Sequence, residues 1–272
     1  MRETLIVIGL FLLALGLRSG RNSMPRKFGA LALLASSFAL FYFLTGSLCA
    51  GFFGVLVWLF LPWIELLTRI RRMRLPLENR LTHRKPPNPS FFPNAPEAAA
   101  AMEEAGFEPV TESGWEWDGM HQFFHMYWHP EERAVAAICL CEQSDVAFAF
   151  ITITSYGQNG KIWRTTNFPF APTLRIAPGI KWNHVPCSRN CFHQILDDHR
   201  NYLKRVAKPV EHILIPDPEK LVDQIEEEMK LQLDYNQQSR IIRYTSDGYF
   251  QYSTRGLIFL WGQFIKDMVR FC

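Results

Sequence analysis

Charge is almost absent over residues 28–67, where Glu65 is the single Asp, Glu, Lys or Arg. This excludes a soluble domain there, because a domain in water needs a polar surface. Roughly 20 apolar residues cross a bilayer as a helix. The run is about twice that length, and Gly46, Ser47 and Gly51 interrupt it. It therefore predicts two spans, 28–45 and 52–67, folded back on each other, with one long bent helix as the alternative.

Catalytic signatures are also missing. The chain has no Gly-rich phosphate loop, no G-x-S-x-G, no H-E-x-x-H and no C-x-x-C. Nucleophile elbows, zincin sites, dithiol redox motifs and phosphate cradles are thereby excluded as sequence readings. No cofactor is expected. Only six cysteines occur in 272 residues, and a cytoplasmic domain would keep them reduced, so their even number is no argument for bridges.

Lys and Arg flank the apolar run. Residues 5–17 form a shorter apolar stretch, followed by Arg18, Arg21, Arg26 and Lys27. A signal peptide would lead through a small-x-small site to soluble sequence, whereas more apolar chain follows here. The stretch is read as a short, tilted first span, which makes three. Arg69, Arg71, Arg72 and Arg74 close the last span, and the 46–51 turn is uncharged. Both basic loops then lie on the cytoplasmic side, with the amino terminus outside. The expected localisation is a membrane with the soluble domain on its cytoplasmic side, and the lipid bilayer is the expected partner.

Residues 1–72 thus read as a transmembrane region and 73–93 as a basic, Pro-rich linker. Pro86, Pro87, Pro89 and Pro93 make the linker a stiff, extended spacer. Residues 94–254 read as the soluble domain and 255–272 as an amphipathic helix. Residues 1–94 carry 12 Lys plus Arg against 3 Asp plus Glu, and the remainder 17 against 23. The overall +3 hides a basic membrane part and an acidic domain. An acidic domain does not read as nucleic-acid binding.

Helix signals begin at Asn94-Ala95-Pro96-Glu97. Strand-like segments follow at 107–110, 122–128, 134–141, 147–155, 161–166 and 173–176, rich in β-branched and aromatic residues. The spacings leave no room for crossover helices, so the sheet is predicted as mostly antiparallel. Residues 191–206 read as an amphipathic helix and Asp217-Pro218 as the start of another. The expected fold is α+β: amino-terminal transmembrane helices, three in number, then a mostly antiparallel sheet flanked by helices. Arg74-Leu75-Pro76, Trp115-Glu116-Trp117-Asp118, Thr165-Thr166-Asn167 and Asp198-His199 resemble segments of uncharacterised bacterial membrane proteins with amino-terminal spans and one soluble α+β domain. The resemblance implies that architecture and a bacterial inner membrane as the location, and carries no chemistry.

Candidate chemistry is sparse. His121, His125 and His129 recur every four residues. On a strand that repeat spans roughly 13 Å, too far for one ion to join two ligands. His184, Cys187, Cys191 and His193 are metal-ligating types, but H-x2-C-x3-C-x-H is not a standard zinc spacing. His199 lies on an apolar helical face with Phe192, Ile195, Leu196 and Leu203. It reads as a satisfied core histidine or, alternatively, as a catalytic residue in a pocket beneath the sheet. Trp115-Glu116-Trp117-Asp118, Glu142 and Asp145 offer carboxylates that no spacing pairs. In the terminal helix, Gln263, Lys266, Asp267 and Arg270 share one arc opposite Leu257, Trp261 and Phe264. A membrane-surface helix results, with Arg69, Arg71, Arg72, Arg74, Trp261, Lys266 and Arg270 near head groups, or else a helix packed in a groove of the domain.

The functional expectation is a membrane-tethered cytoplasmic module for binding, sensing or assembly. The rivals are a metal-binding or enzymatic domain using His199 or the His184–His193 cluster, and a structural subunit partnered by another membrane protein or a second copy.

Overall fold

The computed structural model describes residues 2–19, 23–78, 80–117, 119–143, 146–187, 190–207 and 212–270, without the side chains of Ser23, Arg26, Val269 and Arg270. Arg21, Asp118, Asp145 and Cys272 lie outside the described residues.

Three helices open the chain: α1 (Arg2–Arg18), α2 (Ser23–Thr45) and α3 (Leu48–Thr68). Small residues let them touch. A Cβ at Gly29 would lie 2.7 Å from Arg18 Cγ, and one at Gly54 would lie 2.5 Å from the Phe41 ring and 2.9 Å from the Ser37 carbonyl. Polar groups are bonded across the apolar helices: Trp58 Nε1 donates to Ser37 Oγ at 2.7 Å, and Ser36 Oγ to the Val7 carbonyl at 3.2 Å. Among the described residues, two helices are long and apolar enough to cross a membrane, Lys27–Thr45 and Leu48–Arg72. This corrects the expectation of three. At 17 residues α1 is about 25 Å long, short of a roughly 30 Å hydrocarbon core.

The remainder is α+β. Its main sheet has six strands in the order β2 (Glu108–Trp117), β3 (Met120–His129), β4 (Ala134–Gln143), β5 (Val146–Tyr156), β6 (Ile162–Thr166) and β7 (Ile180–His184). All neighbours pair antiparallel except β6 and β7, which are parallel. The predicted strand at 173–176 is absent. The chain instead makes an irregular crossover over 167–179 to β7. Strand alternation sorts the core by face. Ile138, Leu140, Ile151 and Ile153 pack against α4 (Ala95–Glu104) and α5 (Phe192–Val206). Val135, Ala137, Cys139 and Phe150 face α6 (Leu221–Gln238). Asp217 caps the short 3-10 turn before α6, accepting from the Glu219 amide at 3.1 Å.

A second sheet of three short strands has the order β1 (Leu75–Pro76), β9 (Tyr249–Tyr252), β8 (Ile242–Tyr244). It joins the apolar helices to the domain. One core cluster holds Leu66 of α3, Leu233 of α6, Phe250 of β9 and Leu257 and Leu260 of α7 (Thr254–Arg270). Leu174 of the crossover packs on the same cluster.

The 73–93 segment is not a free spacer. Leu81 is buried and its amide donates to Glu226 at 2.7 Å, while Thr82 exchanges two backbone bonds with Gly114 on the sheet edge. Arg84 pairs with Glu116 and Lys85 with Glu112. Stiff prolines lower the entropy lost in docking such a strap.

Candidate functional site

The strongest candidate is a cavity between α6 and the sheet face that carries Cys139 of β4 and Phe150 of β5. It holds about 370 Å³, within the range of small-molecule sites. Its position follows from two periodicities. Thr152, Thr154 and Tyr156 of β5 and Arg164 and Thr166 of β6 alternate onto this face, and Ile225, Glu228, Met229 and Gln232 of α6 recur at helical spacing opposite them. Phe124, Val135, Cys139, Phe150 and Phe168 supply apolar wall.

An ion pair sits in this apolar setting. Arg164 Nη2 donates to Glu228 Oε2 at 2.5 Å, and Arg164 Nε to Thr154 Oγ1 at 3.0 Å. Tyr156 Oη donates to the other Glu228 oxygen at 2.8 Å. Side-chain exposure is 21% for Arg164 and 10% for Glu228. Burial penalises the Arg164 charge most, but Glu228, Tyr156 and Cys139 together outweigh it and raise the guanidinium pKa. Burial, then Glu228, push the Tyr156 phenol well above its ordinary value, so it stays a donor. Both Glu228 oxygens are engaged. Of the five guanidinium N–H groups, the contacts above use two among the described residues. Trp182 Nε1, on the same wall, is shielded and has no acceptor among the described residues.

His199 lies on the opposite face and outside this cavity. It is 1% exposed. Ser155 Oγ donates to the Arg133 carbonyl at 3.1 Å, so it accepts from His199 Nε2 at 3.1 Å. Asn183 Nδ2 donates to Thr165 Oγ1 at 3.3 Å, leaving the Thr165 hydroxyl to donate to His199 Nδ1 at 2.9 Å. The neutral imidazole carrying its proton on Nε2 satisfies every partner. Burial lowers its pKa to about 4 against the pull of Glu132. A histidine bonded at both nitrogens in a closed core has no substrate to touch.

The other candidates are dispersed. His184 ends β7. Cys187 is disulfide-bonded, which removes it as a thiolate ligand and corrects the all-reduced expectation. Cys191 is an exposed free cysteine before α5, and His193 faces Glu104 at 3.9 Å. His121, His125 and His129 lie on β3, where His121 and His125 face Glu116 and Glu112, each at 3.8 Å. Burial lowers the His125 pKa despite Glu112. Cys139 and Cys141 lie on the cavity side of β4; burial raises both thiols, Cys141 to about 12, so neither is a ready nucleophile. Among the described residues no group of three His, Cys, Asp or Glu converges to hold a metal ion.

Of the membrane-surface residues, Arg69 pairs with Glu65 and Arg74 with Asp247, while Arg71 and Arg72 are exposed. Trp261 is half-buried: its Nε1 donates to the Leu59 carbonyl at 2.6 Å and its ring lies 6.4 Å from that of Trp63. Lys266 bonds Gln263, and the Arg270 side chain lies outside the described residues. Leu257 and Leu260 of α7 share a core cluster with Leu66 of α3, while Ile258 is exposed.

The cavity and its ion pair escaped the sequence reading. Glu228 closes a Glu226-Glu227-Glu228 run that looks like a solvated face, and Arg164 stands in a five-residue strand. No protein-family model, curated protein or solved structure matches the chain.

Proposed function

We propose that the chain is a membrane-tethered cytoplasmic module for ligand binding and sensing, seated on the inner membrane of a bacterium through the α2–α3 hairpin. The tether reading is supported by two helices of spanning length and apolarity. The cytoplasmic reading is supported by basic residues at both ends of the hairpin and none in its turn. With two spans, the 18–27 loop and the domain still share one side, so the reading does not depend on α1. The Cys187 disulfide pulls the other way, since cytosol keeps thiols reduced. The loop charges act directly on insertion, and the cytoplasmic reading rests on them.

One observation carries the sensing part. α6 lines the cavity with Glu228 and, five residues on, buries Leu233 in the cluster that holds Leu66 of α3. A change at the cavity wall therefore reaches the hairpin through one helix. Hydrogen exchange on the full chain in detergent micelles tests this. Glu228→Gln is expected to speed exchange over residues 63–72 as well as in α6. Unchanged exchange at 63–72 contradicts sensing through α6.

A further inference from the structure

The cavity beneath α6 carries information about what it holds. Its ionic groups cancel: Arg164 and Glu228 face each other at 2.5 Å. A charged ligand would be buried with no opposite charge to spare, which is costly. Its carboxylate is occupied, since one Glu228 oxygen is taken by Arg164 and the other by Tyr156. Its donors are not. Among the described residues, Arg164 retains N–H groups beyond those on Thr154 and Glu228, and the Trp182 indole N–H on the same wall has no acceptor. The rest of the wall is mainly aliphatic and aromatic, and Leu174 joins it to the cluster around Leu66 and Trp63 at the base of the hairpin.

We propose that this cavity binds a neutral, largely apolar molecule bearing a carbonyl oxygen, with that oxygen accepting from Arg164. The inference deepens the binding reading above and rests on it. The apolar body fills the space between Phe150, Phe168, Ile225 and Met229. The carbonyl supplies the acceptor that the site lacks, without adding charge.

The experiment uses 2-octanone labelled with ¹³C at its carbonyl, titrated into the full chain in detergent micelles, with empty micelles as reference. A protein-bound carbonyl resonance is expected, shifted downfield as for a ketone accepting a hydrogen bond. The double variant Arg164→Met with Glu228→Met keeps charge balance and bulk. It should bind about tenfold more weakly, the worth of one hydrogen bond to a charged group, and the bound signal should lose its downfield shift. Ala137→Leu fills the cavity without touching the ion pair and should abolish the bound signal, so the test survives if the double variant does not fold. The inference is overturned by no bound ketone in the wild type, by an unchanged shift in the double variant, or by unchanged binding in Ala137→Leu. Failure here, with hydrogen exchange at 63–72 still responding to Glu228→Gln, sinks the carbonyl ligand and leaves the sensing reading standing.

Discussion

At the residue scale, burial decides what each polar group does. His199 was legible as a core histidine from its helical face, but its partners were not. Ser155 and Thr165 come from strands 34 and more positions away, and only the fold brings them to the two ring nitrogens. His199→Ala removes both bonds and leaves two hydroxyls without their partner, so a loss of about 1–3 kcal/mol is expected in chemical denaturation. The pH dependence follows from the depressed folded-state pKa. Folding favours the neutral ring, so its contribution is complete above the unfolded value near 6.5. It is lost as pH falls from there toward about 4, and amounts to about 3 kcal/mol. Glu132, held low by Arg200, adds its own loss only below the ordinary carboxylate range. His199→Gln should flatten the stability profile between pH 6.5 and 4; a profile as steep as wild type would show that another group titrates there. Glu228→Gln leaves Arg164 with an uncompensated charge in the cavity wall and is expected to cost about 3 kcal/mol in the same measurement.

At the element scale, long patterned segments could be read and short ones could not. β3, β4 and β5 announce themselves by β-branched and aromatic runs, and β4 is apolar on both faces because α4 and α5 cover one and α6 the other. β1, β8 and β9 have two to four residues each, too few for a period to appear. The 173–176 segment has strand composition, but it lies in the crossover that leads to β7, and β7 takes the place beside β6. For α7 the amphipathic pattern gave the apolar arc but not its partner. A lipid surface and a protein groove present the same chemistry to these side chains, and only the fold shows that Leu257 and Leu260 share a cluster with Leu66 of α3. Removing residues 254–272 should therefore expose Leu66, Leu233 and Phe250. The truncated chain is expected to aggregate or to melt well below the full one in micelles. Equal melting would mean that α7 contributes nothing to that core.

At the scale of the whole molecule, the separation into a basic membrane part and an acidic domain was visible in the sequence, but their union through a shared core was not. Nothing local in Leu66 or Leu233 marks them as neighbours. The same dispersal accounts for the metal candidates: ligating residue types recur, yet four residues of strand carry successive histidines of β3 roughly 13 Å apart. Elemental analysis of the purified chain is expected to find far less than one zinc per chain. A stoichiometric ion lost on Cys191→Ser would reverse that.

The central claim is that the domain sits on the cytoplasmic side of a membrane that the α2–α3 hairpin crosses. The most direct measurement fuses two reporters in turn after Cys272, one active only in the cytoplasm and one active only in an oxidising exterior. The account predicts activity from the first and silence from the second. Activity from the exterior reporter alone would place the domain, with its disulfide-bonded Cys187, on the far side and contradict the account.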